Sequence, residues 1–201
     1  MARPREFDVD AALDGAMEAF WTKGYEATSL DVLCEVTGLS RSSLYATFGS
    51  KRSLLLRSVD RYVERRNPQI AAVLAQPLPI HDVFAALLRQ IIDQIVSGLG
   101  RRGCFLGNCA AELPRRDRAA LASVRQGLDS IEATFREPLS RAKARGELPC
   151  GADVDGLARF FTASIQGLRL VGKVNPNRAT LEDIAATMLR CLEPQSGTGR
   201  R

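Results

Sequence analysis

The chain is poor in the residues that metal, disulfide and membrane chemistry need. His81 is its single histidine, and its five cysteines, at positions 34, 104, 109, 150 and 191, contain no CxxC pair. So thin a supply of ligands argues against structural zinc, and an odd, scattered set of thiols argues against a disulfide framework. No metal and no cofactor is expected. No apolar run approaches the roughly 18 residues that a membrane helix needs. Arg3, Arg5, Glu6, Asp8 and Asp10 interrupt the N-terminal stretch where a secretory signal would be apolar. These absences predict a cytoplasmic protein with no membrane partner and with its thiols reduced. GxSxG, HExxH and HRD motifs are missing as well, so no catalytic machinery is visible. Gly167 to Lys173 has the spacing of a phosphate-binding loop, but Val174 stands where the magnesium-binding Ser or Thr belongs. That stretch also continues a helical stripe instead of following a strand, so nucleotide binding is not expected.

One further absence is local and points to a partner. Asp and Glu are missing from residue 36 to residue 59, a stretch that holds Arg41, Lys51, Arg52 and Arg57. The whole chain is only mildly basic, with a net charge of +5, and basic and acidic residues balance over 1–66. Placement, not total charge, is therefore informative, and a basic gap of this kind suits a phosphate backbone. The gap overlaps two short helical patterns. Thr28 or Ser29 can cap the first, where Leu30, Leu33 and Cys34 recur at i, i+3, i+4. Gly38 follows where a left-handed cap belongs, and Ser40 can cap the second, with Leu44 and Phe48 one turn apart. The opposite face of that second helix carries Arg41, Ser42, Ser43, Tyr45 and Thr47, a dense supply of hydrogen-bonding groups. Two helices joined by a tight glycine turn, the second small and polar outward, form a helix-turn-helix pattern.

The residues of this region also carry a resemblance. Phe20, Gly24-Tyr25, Thr28-Ser29, Gly38-Leu39-Ser40, Leu44-Tyr45, Phe48 and Ser50-Lys51 with Leu54 resemble the N-terminal domain of TetR-family repressors, over about residues 9–63. After the tyrosine that family usually has a second aromatic and a histidine; here Ala46 and Thr47 stand there. The resemblance implies an all-α fold, a three-helix DNA-binding domain followed by a larger helical domain for ligand binding and dimerisation. It further implies a homodimer, a palindromic double-stranded operator, a small-molecule inducer and a nucleoid-associated location.

The rest of the chain reads as helix throughout. Asp8 can cap a first helix with Leu13, Ala16, Met17 and Phe20, ended by Gly24; Trp21 and Tyr25 beside that end read as core. Residues 1–8 form a polar arm whose Arg3 and Arg5 either reach a groove or belong to a frayed tail. Ser50 can cap a long helix, in which Arg57, Arg61, Arg65 and Arg66 read as a solvated face. Pro68 and the Pro77-Leu78-Pro79 run mark its end and a linker, so the domains divide as 1–66, a connection at 67–79, and 80–193, with a disordered tail at 194–201. Residues 80–99 carry a broad apolar stripe, Cys104–Leu113 a short helix, and Leu121 to Leu139 a long one that Pro138 could kink. Two final stripes, Leu157 to Val171 and Leu181 to Leu192, suit a four-helix dimer interface or an intramolecular core.

Specific residues can be assigned on this basis. Arg41 and Ser42 open the second helix of the motif and are the candidates for base edges, since arginine there can give two hydrogen bonds to guanine. Thr28, Ser43, Tyr45, Thr47 and Lys51 carry over the family's phosphate positions, with Ser29 and Ser40 as caps beside them. Lys51 sits in the first turn of its helix, where the dipole already favours an anion. A ligand pocket of the family's kind would be lined by Phe84, Leu88, Phe105, Asn108, Phe161, Ile165 and Gln166, with Asn108 and Gln166 as polar anchors. The segment RRGCFLGNCAAEL resembles a Gly-Cys segment of a TetR subgroup that includes sensors of reactive electrophiles. Cys104 follows two arginines at a predicted helix start, which would stabilise its thiolate; the alternative is a small buried residue. Cys109 lies about 140° around an ideal helix from it, so no local disulfide is expected. The leading reading is a ligand-responsive repressor. An activator without inducer, or a helical enzyme, is the alternative.

Overall fold

The computed structural model describes residues 8–193. The N-terminal arm with Arg3 and Arg5, and the tail 194–201, lie outside the described residues. Among those residues the chain is helical throughout, as expected for an all-α protein. The elements are α1 (Val9–Lys23), α2 (Leu30–Thr37), α3 (Arg41–Phe48), α4 (Lys51–Leu74), α5 (Ile80–Val96), α6 (Phe105–Glu112), α7 (Arg118–Ala144), α8 (Val154–Val174) and α9 (Arg178–Leu189), closed by a 3₁₀ turn. The phosphate-loop look-alike at Gly167–Lys173 is interior helix of α8.

Local chemistry sets most of these limits. Asp8 caps α1 by accepting from the N–H groups of Asp10 and Ala11. Ser29, not Thr28, caps α2 through Val32 N–H, and Ser40 caps α3 through Ser43 N–H. Gly38 takes the left-handed conformation, φ 68°, that lets the chain turn sharply from α2 to α3. Pro68, expected to end its helix, does not: α4 runs through it to Leu74. Proline removes one N–H and strains the preceding turn, a cost of about 3 kcal/mol. Beyond it Ile70 and Leu74, one turn apart and both buried, hold the helix in the core and offset that cost. α7 likewise continues through Pro138.

The described residues form two compact units, and the chain crosses between them within α4, just before α6 and within α7. The first contains the residues up to Arg65 together with Phe105–Gly127; the second contains Arg66–Cys104 and the residues from Leu128 on. The stretch 105–127, expected with the C-terminal half, therefore belongs with the helix-turn-helix. In the first unit Trp21, Tyr62 and Phe105 form an aromatic cluster, with Trp21 edge-on to Tyr62 at 5.1 Å and Tyr62 to Phe105 at 5.7 Å. Arg61 and Arg65 are not a solvated face. Arg61 grips Asp14 with two hydrogen bonds and Arg65 reaches the same carboxylate at 3.0 Å, tying α4 to α1.

In the second unit α5 packs against α8 and α9. Phe84, Phe135 and Phe161 are fully buried, with Phe84 and Phe161 only 4.3 Å apart between ring centroids. The stripe of α9 is internal, since Leu181, Ala185 and Met188 are buried along with Leu192. Exposed apolar surface remains on α8, at Phe160, Leu170, Val171 and Val174.

Candidate DNA-binding interface and effector region

The outer face of α3 is small and hydroxylic because its inner face is spent on Leu44 and Phe48, both buried. Arg41 and Ser42 are exposed, Ser43 and Thr47 half-buried, and Tyr45 exposed. Three hydroxyls cluster at the helix start: Ser40 Oγ lies 3.0 Å from Ser42 Oγ and donates to Ser43 Oγ at 2.9 Å. Arg41 folds back on α2, giving Asp31 hydrogen bonds of 2.6 and 3.3 Å. The two hydrogen bonds to this carboxylate hold the guanidinium firmly protonated. Both partners are well exposed, so water and salt screen the pair and leave Arg41 able to exchange it for a base or phosphate.

Lys51 is placed by contacts to the α1–α2 turn. Its Nζ stands 4.6 Å above the Tyr25 ring and donates to the Glu26 carbonyl at 3.4 Å. Arg57, grouped in the sequence with solvated arginines, lies 4.8 Å over the Phe48 ring and donates to Thr47 O at the end of α3. One assignment needs correction. Thr28 is fully buried, and its hydroxyl donates to the Gly24 and Ala19 carbonyls, so it cannot reach a phosphate. A buried hydroxyl must find a partner, and α1 and the glycine that ends it supply one carbonyl each. Ser29 is the exposed member of that pair.

This geometry and the matching motif agree with comparison to known proteins. Residues 12–57 match the family model of bacterial regulatory proteins of the TetR family, and residues 84–188 match that of the Tetracyclin repressor-like C-terminal domain. The transcriptional repressor ComR of Escherichia coli strain K12 is 36% identical over 191 residues, 94% of this chain and 90% of that protein. The chain belongs to the TetR family. It is a transcriptional regulator, not an enzyme. The TetR-family regulator CifR, solved as a cysteine mutant with 26-bp double-strand operator DNA, superposes with a TM-score of 0.81 at 32% identity over 94% of this chain and 98% of CifR. The reduced form of E. coli NemR shares the fold, with a TM-score of 0.83 at 16% identity, over 94% and 98% of the two chains.

In this TetR-family chain the residues assigned to a ligand pocket divide between the units. Phe84, Leu88, Phe161 and Ile165 are buried in the second unit, with the Phe84 and Phe161 rings in contact. Gln166 is half-buried beside them in sequence, and Cys104 is 5% exposed. Phe105 and Asn108 lie in α6, in the first unit. The Phe105 ring is a core ring packed on Tyr62 and Trp21, which corrects its assignment as pocket lining.

A cleft of about 520 Å³ in the second unit is lined by other residues, from Leu74–Ile80, Val83 and the C-terminal half of α7. Its arginines are already matched, Arg141 with Glu137 and Arg145 with Glu147. Arg169 is the residue that sequence reading missed. It is 5% exposed, one turn beyond Ile165 on α8, and no hydrogen bond or ion pair to it occurs among the described residues. Its signal in the sequence was a lone cation within the buried row Phe161, Ile165, Leu168 and Gly172.

Proposed function

We propose that the chain is a ligand-responsive transcriptional repressor that binds a palindromic operator as a homodimer in the cytoplasm. The observation that carries this reading is the α3 face, where Arg41, Ser42, Ser43, Tyr45 and Thr47 stand beside Lys51 in a stretch without acidic residues. Arg41 and Ser42 meet base edges in the major groove, while Ser29, Ser43, Tyr45, Thr47, Lys51 and Arg57 track phosphates. CifR, a similar protein, was solved with operator DNA, which supports the same use of this face here. The exposed apolar side chains of α8 are the dimer surface that brings two α3 helices to symmetric half-sites. The helix-turn-helix unit, which includes 105–127, thus acts on DNA, and the second unit on ligand and partner. The deciding experiment is selection of bound duplexes from a random library, followed by affinity over a salt series. An enriched inverted repeat with steep salt dependence supports the reading; no enrichment overturns it.

The effector carries an anionic group. Arg169 has no counter-charge among the described residues, and a carboxylate or phosphate on the ligand would supply one. By binding the DNA-incompetent form more tightly, such a ligand shifts α4 and changes the spacing of the recognition helices. A panel of paired carboxylates and their primary amides, read by operator release, tests this. Release by acids but not amides, abolished in Arg169→Met, is the expected result. A second trigger is the Cys104 thiol, which follows Arg101 and Arg102 directly before α6. Release by a thiol electrophile in wild type but not in Cys104→Ser would favour it over the anionic ligand.

A further inference from the structure

The turn that seats Lys51 is itself held by an acidic side chain from a distant part of the first unit. Glu112, the last residue of α6, accepts from the N–H of Tyr25 at 2.8 Å and from the N–H of Glu26 at 2.7 Å. Each of its oxygens takes one amide, so the carboxylate spans the two successive peptides that lead from α1 towards α2. The approach depends on Gly24. With φ at 86°, it places no side chain in the way, whereas an added Cβ would come 3.0 Å from Glu112 Oε2. Lys51 contacts the same turn at the next peptide, through the Glu26 carbonyl, and over the Tyr25 ring.

A second carboxylate from the same stretch fixes the neighbour of Lys51. Asp117 takes a two-pronged contact from Arg52, Nε to Oδ2 at 2.7 Å and Nη2 to Oδ1 at 2.5 Å. The planar fork makes this contact directional as well as attractive. Asp117 also accepts from Ala120 N–H, capping α7, so its position is set independently of Arg52. Arg52 is half exposed and its partner mostly buried, which favours a defined geometry over a fluctuating surface pair.

We propose that Glu112 and Asp117 are positioning residues for DNA binding: one fixes the turn that Lys51 leans on, the other fixes the first turn of α4 that carries Lys51. This rests on the operator-binding reading above and adds that two acidic groups promote contact with a polyanion. The sign is what makes it testable. By Coulomb attraction alone, neutralising a carboxylate near a DNA-binding face strengthens binding. If the carboxylates position Lys51, neutralising them weakens it. Glu112→Gln keeps the size but must point an NH₂ at one of the two amide N–H groups, two donors face to face.

The experiment measures affinity for the selected operator across a salt series for wild type, Lys51→Ala, Glu112→Gln, Asp117→Asn and the doubles with Lys51→Ala. Lys51→Ala should lower the slope of log affinity against log salt by about 0.9 for each phosphate it no longer neutralises. Glu112→Gln and Asp117→Asn should each weaken binding by about fivefold to twentyfold, lower the slope in the same direction, and have little further effect once Lys51 is alanine. The exchange pair Arg52→Asp with Asp117→Arg should recover affinity relative to either single change, which separates positioning from a folding defect. Tighter or unchanged binding in Glu112→Gln and Asp117→Asn overturns the proposal, as does full additivity with Lys51→Ala. If wild type itself selects no operator, the repressor reading fails, and this proposal with it.

Discussion

Thr28 and Ser29 are adjacent hydroxyls with opposite fates, and the difference sets two kinds of experiment. Thr28 is sealed in the first unit and gives its proton to Gly24 O, so Thr28→Val leaves a part-buried carbonyl short of a donor. The expected cost is about 1–2 kcal/mol of unfolding free energy in urea, with the salt dependence of operator binding unchanged. A hydroxyl that served a phosphate would behave the other way, its removal lowering the salt slope and leaving stability alone. Arg41 is the converse case. It is exposed and, among the described residues, partnered by a screened pair with Asp31, so Arg41→Ala should barely move the melting midpoint. In a repeated selection, discrimination at one base of each half-site should relax by roughly tenfold to a hundredfold while other positions hold. Uniform weakening across all sequences would show that Arg41 meets phosphate and not a base.

Charged forks between elements add directional contacts to the apolar packing that places the helices. Arg52 of α4 and Asp117 at the start of α7 are the best-defined case. The Arg52 hydrogen bonds, helped by Ala120 N–H, hold the Asp117 carboxyl down at about 2, against an ordinary 3.8. A carboxylate lowered in this way contributes stability in full above the ordinary value, and loses it as pH falls from about 4 towards 2. Asp14 is lowered in the same direction, chiefly by its hydrogen bond from Arg61. Acid unfolding should therefore begin near pH 4, and Asp117→Asn should remove its share of that acid limb while leaving a lower, flatter profile above it. A thermal melt series from pH 2.5 to 7 reads this directly; an unchanged acid limb in the variant would refute it. The helix limits were legible in the sequence, because caps and apolar periodicity act within a few residues. The persistence of α4 through Pro68 was not, because the gain comes from burying Ile70 and Leu74 against residues far along the chain.

At the level of the whole molecule, the proposed dimer turns on what the two C-terminal helices leave exposed. α9 commits its stripe to the interior, whereas α8 leaves Leu170 at 65% and Val174 at 82% exposure. Apolar groups so open to water favour a partner surface. Leu170→Glu combined with Val174→Glu should shift the protein from dimer to monomer in sedimentation, retain its helical spectrum, and lose operator affinity by more than a hundredfold. A monomer that still binds the full operator tightly would show that the two half-sites are not bridged through α8.

The sequence by itself determined the helical class, the capped helix-turn-helix, the basic gap that marks its surface, and the motif that resembles the TetR family. These are carried by neighbours in the chain, where spacing and residue type suffice. Only the tertiary structure decided which candidates stay at the surface: Thr28 is buried, Phe105 joins the aromatic core, and Arg169 emerges as a buried cation without a counter-charge among the described residues. It alone also brought Glu112 to Tyr25 across 87 residues and Asp117 to Arg52 across 65. No periodicity encodes such pairs. They form because the packing of apolar faces fixes where α6 and α7 lie, and the carboxylates then take the donors that packing has placed within reach.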